Sequence, residues 1–378
     1  MIGAVHIARD ALQENARSLA AFIAPCDPAF VVKANAYGHG LVETARTLEP
    51  FTKRLCVYSV QEALALRSAG IRCAIFAMGP VETSALDDAI AGRIELALWD
   101  TGCYLRALTN AARARNARCA VHVKIDTGVA RLGLEPQKAP SAIEGFLRTR
   151  EIHVTGIFSH LAAAEELDSP FTASQLEKYN GVLSAIGPAL QPAGAKPLRH
   201  IAASAAAMLW PQTRLDFART GIALYGIWPS AQTREAMNGS ALQLRPALSL
   251  HSQLVAVRDV EAGTAVGYGG TYHAPASTRI GVVPLGYADG IPRAFSNRGA
   301  FLAGGARCPI AGRVCMNMTM IDLAAAPQAR PGSAVTLLGR DGDAEIGAAD
   351  WAAWAQTIEY EILARLPEHL PREYRSGE

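Results

Sequence analysis

The first 230 residues of the chain alternate short apolar runs with segments of helical periodicity. Strands that alternate with helices form crossover units and a parallel sheet, and eight such units predict a closed (β/α)₈ barrel of the TIM type. An open doubly wound sheet is the alternative, but no G-x-G-x-x-G motif follows a first strand. The eight apolar runs are residues 29–33, 54–59, 73–78, 94–99, 119–126, 153–160, 198–202 and 221–226. Helical patterns lie between them, at residues 43–48, 60–69, 174–186 and 203–209.

After Pro229 the helical periodicity is lost and short extended runs take over, punctuated by Gly, Pro and Asp. This pattern predicts a mainly-β domain. The extended runs are residues 247–258, 278–284, 300–302, 308–314, 318–323 and 334–338, and a last helix at 348–355 leads into 358–366. A chain of 378 residues fits two domains. We expect an α/β chain with a barrel domain at 1–238 and a β-rich domain at 239–378, joined near 239–245.

Composition excludes several classes of partner. The 36 basic and 34 acidic residues leave a net charge of +2 and no basic block stands out, so we expect neither a nucleic acid nor a membrane surface as partner. No apolar run reaches the length of a membrane span, and the charged first twenty residues do not resemble a signal peptide. The seven scattered cysteines contain no C-x-x-C pair, which favours reduced thiols in the cytoplasm, and we expect no metal.

Barrel enzymes carry their active sites on the loops that follow the strands. Lys33 ends the apolar run 29–33 and precedes a glycine-rich segment. Burial there would disfavour the ammonium form and leave a nucleophilic amine, which an aldehyde cofactor needs to form a Schiff base. A lysine that only extends from the rim of a core is the alternative. Other polar residues at predicted strand ends are Lys124, Asp126, His160, Ser204 and Arg219.

Several strings, spread over both predicted domains, carry a resemblance to a known family. Val31-Val32-Lys33-Ala34-Asn35-Ala36-Tyr37-Gly38-His39-Gly40 resembles the pyridoxal phosphate (PLP) attachment motif of the alanine racemases. Further similar strings are Lys124-Ile125-Asp126-Thr127-Gly128 with Arg131-Leu132-Gly133, Arg219-Thr220-Gly221-Ile222-Ala223-Leu224-Tyr225-Gly226, Val266-Gly267-Tyr268-Gly269-Gly270-Thr271-Tyr272, Val283-Pro284-Leu285-Gly286-Tyr287-Ala288-Asp289-Gly290, Gly312-Arg313-Val314-Cys315-Met316-Asn317 and Thr357-Ile358-Glu359-Tyr360-Glu361.

The resemblance implies a two-base racemase with PLP as cofactor. Lys33 would carry PLP on its side-chain nitrogen and act as the base on one face of Cα, and Tyr268 would act on the other. A phenol in water has a pKa of about 10 and needs a neighbouring group to serve as a base; His160, itself held by Arg219, would be that group. Arg219 would donate a hydrogen bond to the pyridine nitrogen and keep it unprotonated. The alternatives are a hairpin tyrosine for Tyr268 and a rim arginine for Arg219.

The resemblance also implies how the remaining parts of PLP and the substrate are bound. The cofactor phosphate would be held by Tyr37, Ser204, Tyr360 and the backbone N–H groups of Gly221 and Ile222. A plain helix N-cap is the other interpretation of Ser204.

The substrate carboxylate would meet Arg131. A carbamylated Lys124 would position Arg131, with an unmodified lysine as the alternative.

The family forms a head-to-tail homodimer, and this implies that Tyr268, Tyr287, Cys315 and Met316 enter the site of the partner subunit. Asn317 departs from the family string, which has an aspartate at that position. The implied reaction interconverts L-alanine and D-alanine, for cell-wall precursors or for catabolism. Alternatives are a broad-specificity or serine racemase, a PLP-binding barrel protein without catalysis, and an amino-acid decarboxylase, which has an acidic residue where Arg219 stands.

Overall fold

The structure of the protein is a computed structural model that describes residues 3–376. These residues form two compact units, one of residues 12–36 and 41–245 and the other of residues 3–11, 37–40 and 246–376. Unlike the expected domains 1–238 and 239–378, the units are not continuous in sequence. The reason is the first strand, Gly3–Ala8, which pairs antiparallel with Leu248–Gln253 and parallel with Arg372–Arg375.

The larger unit contains the expected barrel of eight parallel strands. The circle closes where the Arg219 N–H donates to the Ala202 carbonyl oxygen over 3.0 Å and a parallel bridge joins Ala203 to Arg219. Apolar residues fill the strand interiors, as expected for strands covered on both faces. The strands are Asp27–Val31, Arg54–Val57, Ala74–Ala77, Glu95–Leu98, Cys119–Lys124, Ile152–Phe158, Leu198–His200 and Phe217–Thr220.

The predicted eighth strand at 221–226 is wrong. The strand lies earlier, at Phe217–Thr220, and residues Ile222–Tyr225 form a 3₁₀ turn. Gly221 leaves the extended conformation, with φ −114° and ψ −97°, and Gly226 ends the turn in the left-handed region at φ 81°. Arg219 therefore lies inside a buried strand and is not a rim residue.

Helices follow most of the barrel strands. A capping box begins helix Val60–Ser68: the Glu62 N–H donates to Ser59 Oγ over 3.1 Å, and the Ser59 N–H donates back to Glu62 Oε2 over 3.1 Å. The other helices that lie wholly or mostly in this unit are Arg9–Ile23, Leu41–Leu48, Leu86–Ala91, Cys103–Ala114, Ala139–Arg148, Phe171–Leu190, Ser204–Leu209 and Ala231–Ala236. Among residues 3–376, no helix is long and apolar enough to cross a membrane.

The smaller unit is rich in β-structure, as expected. The predicted strand 308–314 extends only to Pro309, because proline offers no N–H for a ladder and Gly312 adopts φ 86°. Its largest sheet has the strands Ala306–Pro309, Ala300–Ala303, Ala334–Asp341, Leu248–Gln253, Gly3–Ala8 and Arg372–Arg375 in spatial order, with Ala344–Ile346 paired to Ala334–Asp341. The other strands are Ala256–Val260, Thr278–Val283 and Thr319–Asp322 in one sheet and the pair Ala265–Val266 and Tyr272–His273; the helices are Ala348–Ala355 and Glu359–Ala364.

Gly156 makes room for a histidine inside the barrel. It lies in strand Ile152–Phe158 opposite His122, where the pairing register shifts. A Cβ at Gly156 would lie 2.6 Å from His122 Cε1 and 2.7 Å from Cγ, which is inside van der Waals contact. His122 is fully buried, so its ring has no free space to move into. Only glycine at this position leaves space for the imidazole.

We expect Gly156→Ala to lower the free energy of unfolding by about 1–3 kcal/mol, the usual cost of overpacking a filled core. Gly145→Ala is the control, because Gly145 lies in helix Ala139–Arg148 and a Cβ there meets no atom within 4 Å. That variant should be neutral or more stable by up to about 1 kcal/mol. Denaturant unfolding measures both, and equal stability of Gly156→Ala and the parent would contradict the packing.

Candidate active site

Polar residues predicted from separate strand ends converge at the carboxyl end of the barrel. Burial first, and then the positive charges of Arg219, Arg131, Lys124 and Lys33, lowers the pKa of His160 to about 3. His160 is therefore neutral at physiological pH and lies within the field of four basic side chains. The structure brings these five residues together, although the sequence separates Lys33 from Arg219 by most of the barrel.

Lys33 begins a tight turn one residue after the strand Asp27–Val31. The next residues, Ala34, Asn35 and Ala36, all have φ of 53°, in the left-handed region that costs about 1–2 kcal/mol per residue. Side chains hold the turn: the Ala34 N–H donates to Glu62 Oε1 over 2.7 Å, and the Leu41 N–H donates to Asn35 Oδ1 over 2.8 Å. Burial, followed by the charge of Arg131, lowers the pKa of the Lys33 amine. A lowered pKa favours the neutral amine, which is the form that the prediction for Lys33 requires.

Lys124 is buried at the end of its strand, and burial followed by the charge of Arg131 lowers its pKa to about 8. The loop after it is shaped by Asp126, whose carboxylate accepts hydrogen bonds of 2.9 to 3.2 Å from four consecutive N–H groups, those of Gly128, Val129, Ala130 and Arg131. Asp126 thus positions the backbone of Arg131. With a pKa of about 8, about a tenth of the Lys124 amine is uncharged at pH 7.

Arg219 is 4% exposed, and each terminal nitrogen has partners. Nη2 donates to the carbonyl oxygens of Ser159 over 2.8 Å and Ile201 over 3.1 Å, and Nη1 lies 2.5 Å from His200 Nδ1. Burial lowers the pKa of the guanidinium to about 10, which leaves it charged at neutral pH. The expected contact with His160 is long, at 3.5 Å to Nδ1. The shortest of these contacts is with His200, a residue that the sequence analysis missed.

Phe158 is a second residue that the sequence analysis missed. Its ring centroid lies 5.5 Å from Lys124 Nζ and 5.5 Å from Arg219 Cζ, and the ring stacks on His200 at 5.0 Å with an angle of 3°. An aromatic face attracts cations, so Phe158 favours both side chains in their observed positions. Phe158 and His200 both belong to predicted apolar runs, but an apolar pattern does not show which side chains meet.

Ser204 and Gly221, both expected at the cofactor phosphate, are joined directly. The Gly221 N–H donates to Ser204 Oγ over 2.9 Å, so the hydroxyl does not cap its own helix and its own proton remains available to an anion. Ile222 begins a 3₁₀ turn, whose first N–H groups have no acceptor inside the turn. Next to them, Thr220 Oγ1 is buried without a hydrogen-bond partner among the described residues.

Tyr37 and Tyr360, the other two residues expected at the phosphate, lie close together in the smaller unit. Their ring centroids are 6.3 Å apart at an angle of 51°.

The same unit exposes the aromatic and apolar side chains that were expected to reach a partner subunit. Tyr268 is 71% exposed in the turn between the paired strands Ala265–Val266 and Tyr272–His273. Tyr287 is 44% and Met316 is 57% exposed.

Two backbone hydrogen bonds tie the Tyr287 and Met316 segments together. The Tyr287 N–H donates to the Cys315 carbonyl oxygen and the Ala288 N–H donates to the Met316 carbonyl oxygen, each over 2.9 Å. Asn317, the departure from the family string, donates from Nδ2 to Asp289 Oδ2 over 3.1 Å. An aspartate at 317 would bring a second negative charge against Asp289, so the amide is what makes this contact attractive.

Family comparisons cover both units of the chain. The family model described as "Alanine racemase, N-terminal domain" matches residues 7–229, and "Alanine racemase, C-terminal domain" matches residues 247–374. The alanine racemase of Halothermothrix orenii is 37% identical over 92% of this chain and 89% of its own length. Alanine racemase 2 of Bacillus subtilis is 35% identical over 99% of this chain and 95% of its own.

Solved structures give the same result. The crystal structure of alanine racemase from D-cycloserine-producing Streptomyces lavendulae superposes with a TM-score of 0.93 at 35% identity, covering 100% of this chain and 98% of that one. The Bacillus anthracis alanine racemase with bound L-Ala-P superposes with a TM-score of 0.89 at 30% identity, covering 99% and 95%. Fold, motifs and similarity extend over both units, and the chain therefore belongs to the alanine racemase family.

Proposed function

We propose that Lys33 and Tyr268 are the two bases with which this PLP-dependent enzyme interconverts L-alanine and D-alanine. The position of Lys33 at the end of a barrel strand, in a chain of the alanine racemase family, is the observation that carries the proposal, and the lowered pKa of its amine, caused by burial and then by Arg131, agrees with it. Racemisation removes a proton from one face of Cα and returns one to the other, so a single group cannot easily serve both faces. Bound PLP supplies an electron sink for the charge left on Cα.

The chemistry of the barrel residues fits PLP. Lys33 provides the amine for covalent attachment, and Arg219 is a fixed cation that can only donate a hydrogen bond to the ring nitrogen. The Ser204 hydroxyl and the first N–H groups of the Ile222–Tyr225 turn are donors for a phosphate. The family resemblance would add the phenols of Tyr37 and Tyr360, which belong to the smaller unit. With Arg219 as a donor beside it, the ring nitrogen would stay unprotonated, and this would disfavour transamination and decarboxylation.

The substrate would be held by its carboxylate. Arg131 is exposed at the site and carries the matching charge. A carbamate on Lys124 would place an anion in the field of Arg131 and fix that guanidinium. His160, neutral because burial and neighbouring cations lower its pKa, can exchange a hydrogen bond with Tyr268 without adding charge.

A head-to-tail homodimer would bring Tyr268, Tyr287, Cys315 and Met316 to the site of the other subunit. The exposure of Tyr268, Tyr287 and Met316 supports this, because large apolar side chains grouped at a surface mark interaction sites. Tyr287 and Tyr360 would narrow the entrance and favour a small side chain. We place the enzyme in the cytoplasm, where it would supply D-alanine for peptidoglycan precursors or consume it in catabolism.

The first test replaces Lys33 by alanine. Lys33→Ala should lose both racemisation and the borohydride-reducible adduct on this peptide, measured by chiral product analysis and by mass spectrometry with added PLP. The parent enzyme, given a panel of L-amino acids, should racemise alanine fastest. A comparable rate with serine would support the broad-specificity alternative, and an adduct without turnover would support a binding protein.

The shared site has its own test. Tyr268→Phe should retain bound PLP and lose activity by ~10²–10⁴-fold, the usual contribution of one positioned acid–base group. Mixing Lys33→Ala with Tyr268→Phe should then restore part of the activity, because one site of a mixed dimer has both bases. If labelled subunits exchange and no activity returns, the bases do not come from different subunits.

If Lys124 is carbamylated, the activity of the enzyme should depend on carbon dioxide. Only the neutral amine forms a carbamate, and with a pKa of about 8 its neutral fraction rises from roughly 1% near pH 6 to about half near pH 8. Bicarbonate should therefore increase activity more at the higher pH, and intact mass spectrometry should detect one added CO₂. Lys124→Gln is the matched control and should respond to bicarbonate at neither pH.

A further inference from the structure

We propose that Glu95 and His122 are positioning residues that fix the hydrogen-bond geometry of Arg219 through His200. The proposal rests on the function proposed for Arg219 and adds residues that lie inside the barrel, away from the PLP-binding groups named above. It concerns which ring nitrogen of each histidine carries the proton.

The side chains of Glu95, His122, His200 and Arg219 form one continuous polar chain. Arg54 extends this chain beyond Glu95. Arg54 binds Glu95 through Nε–Oε2 at 2.8 Å and Nη2–Oε1 at 3.1 Å. Glu95 Oε2 lies 3.3 Å from His122 Nε2, and His122 Nδ1 lies 2.8 Å from His200 Nε2. His200 Nδ1 lies 2.5 Å from Arg219 Nη1. All of these residues belong to strands of the larger unit.

The hydrogen bond from Arg219 determines which ring nitrogen of each histidine carries the proton. A guanidinium has donors and no acceptor, so His200 Nδ1 must be unprotonated to receive the bond from Nη1. A neutral His200 then carries its proton on Nε2 and donates it to His122 Nδ1. His122 Nδ1 must therefore be unprotonated as well, which leaves its proton on Nε2, facing Glu95.

The Glu95 end requires the same arrangement. Arg54 donates to both carboxylate oxygens, and burial is outweighed by the hydrogen bonds from His122 and Arg54, so the pKa of Glu95 falls to about 2. An ionised carboxylate only accepts, so His122 must present Nε2–H to it. Both ends of the chain thus select one tautomer for each histidine.

Doubly protonated histidines do not fit this chain. His122 and His200 are fully buried, and burial lowers the pKa of both, with Arg219 adding to the effect. A second proton on His200 would place N–H opposite the N–H of Arg219 at 2.5 Å. The same proton on His122 would face the N–H of His200. Each case would leave two donors opposed in a dry interior, which costs the desolvation of both.

Aromatic neighbours prevent the rings from turning over. Phe76 stacks on His122 with centroids 4.2 Å apart, and Phe217 stacks on His200 at 4.0 Å, both at 23°. Phe158 also stacks on His200. The backbone at Gly156 packs closely against His122, so there is no spare space beside that ring. A ring flip would exchange nitrogen for carbon at each link of the chain. The geometry therefore holds the His200 acceptor aimed at Arg219 before any cofactor binds.

The experiment measures histidine tautomers in the full-length, PLP-loaded enzyme by ¹⁵N–¹H correlation NMR, with signals assigned through the backbone. We expect the Nε2–H tautomer for both His122 and His200. Glu95→Gln removes the charge and one of the two acceptors that Arg54 uses. It should shift the His122 and His200 signals, weaken PLP affinity roughly tenfold, the scale of one hydrogen bond, and lower kcat with little change in KM.

Asp216→Asn is the matched control. Asp216 forms a bidentate pair with Arg199, with contacts of 2.9 Å from both Nε and Nη2, and it also accepts a hydrogen bond of 2.6 Å from the Arg199 N–H, but it touches neither histidine of the chain. This pair is more exposed than Arg54–Glu95, with side chains 49% and 29% exposed against 12% and 13%, so Asp216→Asn should cost less stability and leave the tautomers, the PLP affinity and kcat unchanged. Glu95→Asp, which retains the carboxylate, should recover part of the loss.

An Nδ1–H tautomer or a doubly protonated ring in the parent enzyme overturns the proposal. So does a Glu95→Gln enzyme with unchanged histidine signals and PLP affinity. If Glu95→Gln does not fold, the parent spectrum alone decides. Failure of the racemase proposal is separate, because it would appear as absent chiral turnover in the parent, while the tautomers are observed whether or not the enzyme turns over.

Discussion

The burial of Arg219 is the constraint on which the site depends. Its charge is permanent at neutral pH and its side chain is almost fully removed from solvent. Leaving a buried donor without its hydrogen-bond partner typically costs about 1–3 kcal/mol, and more when the donor is charged. Three acceptors in the barrel bind the guanidinium. Two are the carbonyl oxygens of Ser159 and Ile201, residues that follow the ends of neighbouring strands, and the third is the ring nitrogen of His200. The strand pairing that closes the barrel and the chemistry at its mouth therefore involve the same residue.

Positive charge accumulates at this mouth beyond what stability alone would favour. After burial, the charges of Arg131 and Arg219 lower the pKa of both Lys33 and Lys124. In the proposed function, an anionic cofactor and a substrate carboxylate would relieve this cost. Functional sites commonly hold such locally unfavourable arrangements within a stable scaffold. The left-handed turn after Lys33, which is held by Glu62, is another locally unfavourable arrangement of this kind.

Periodicity predicted most of the fold, because a strand or helix with a buried face leaves a regular pattern of apolar residues in the local sequence. It failed where tertiary pairing decides. Residues 221–226 are apolar enough for a strand, yet Gly221 turns the chain, and the strand is the one that contains Arg219. Gly3–Ala8 was not predicted as a strand, since its partners, Leu248–Gln253 and Arg372–Arg375, lie more than two hundred residues away.

The sequence by itself determined the family, the cofactor, the barrel and the positions of the candidate bases, because short motifs carry their chemistry in adjacent residues. Only the tertiary structure identified the side chains that are linked to Arg219 by hydrogen-bond contacts from distant parts of the chain. His122 and His200 are 78 residues apart and lie in predicted apolar runs, where a buried histidine cannot be distinguished from any other strand residue. Their contact, and the order of donors from Glu95 to Arg219, depends on which strands are neighbours and in what register. Motifs encode the reacting groups, whereas folding decides what holds them.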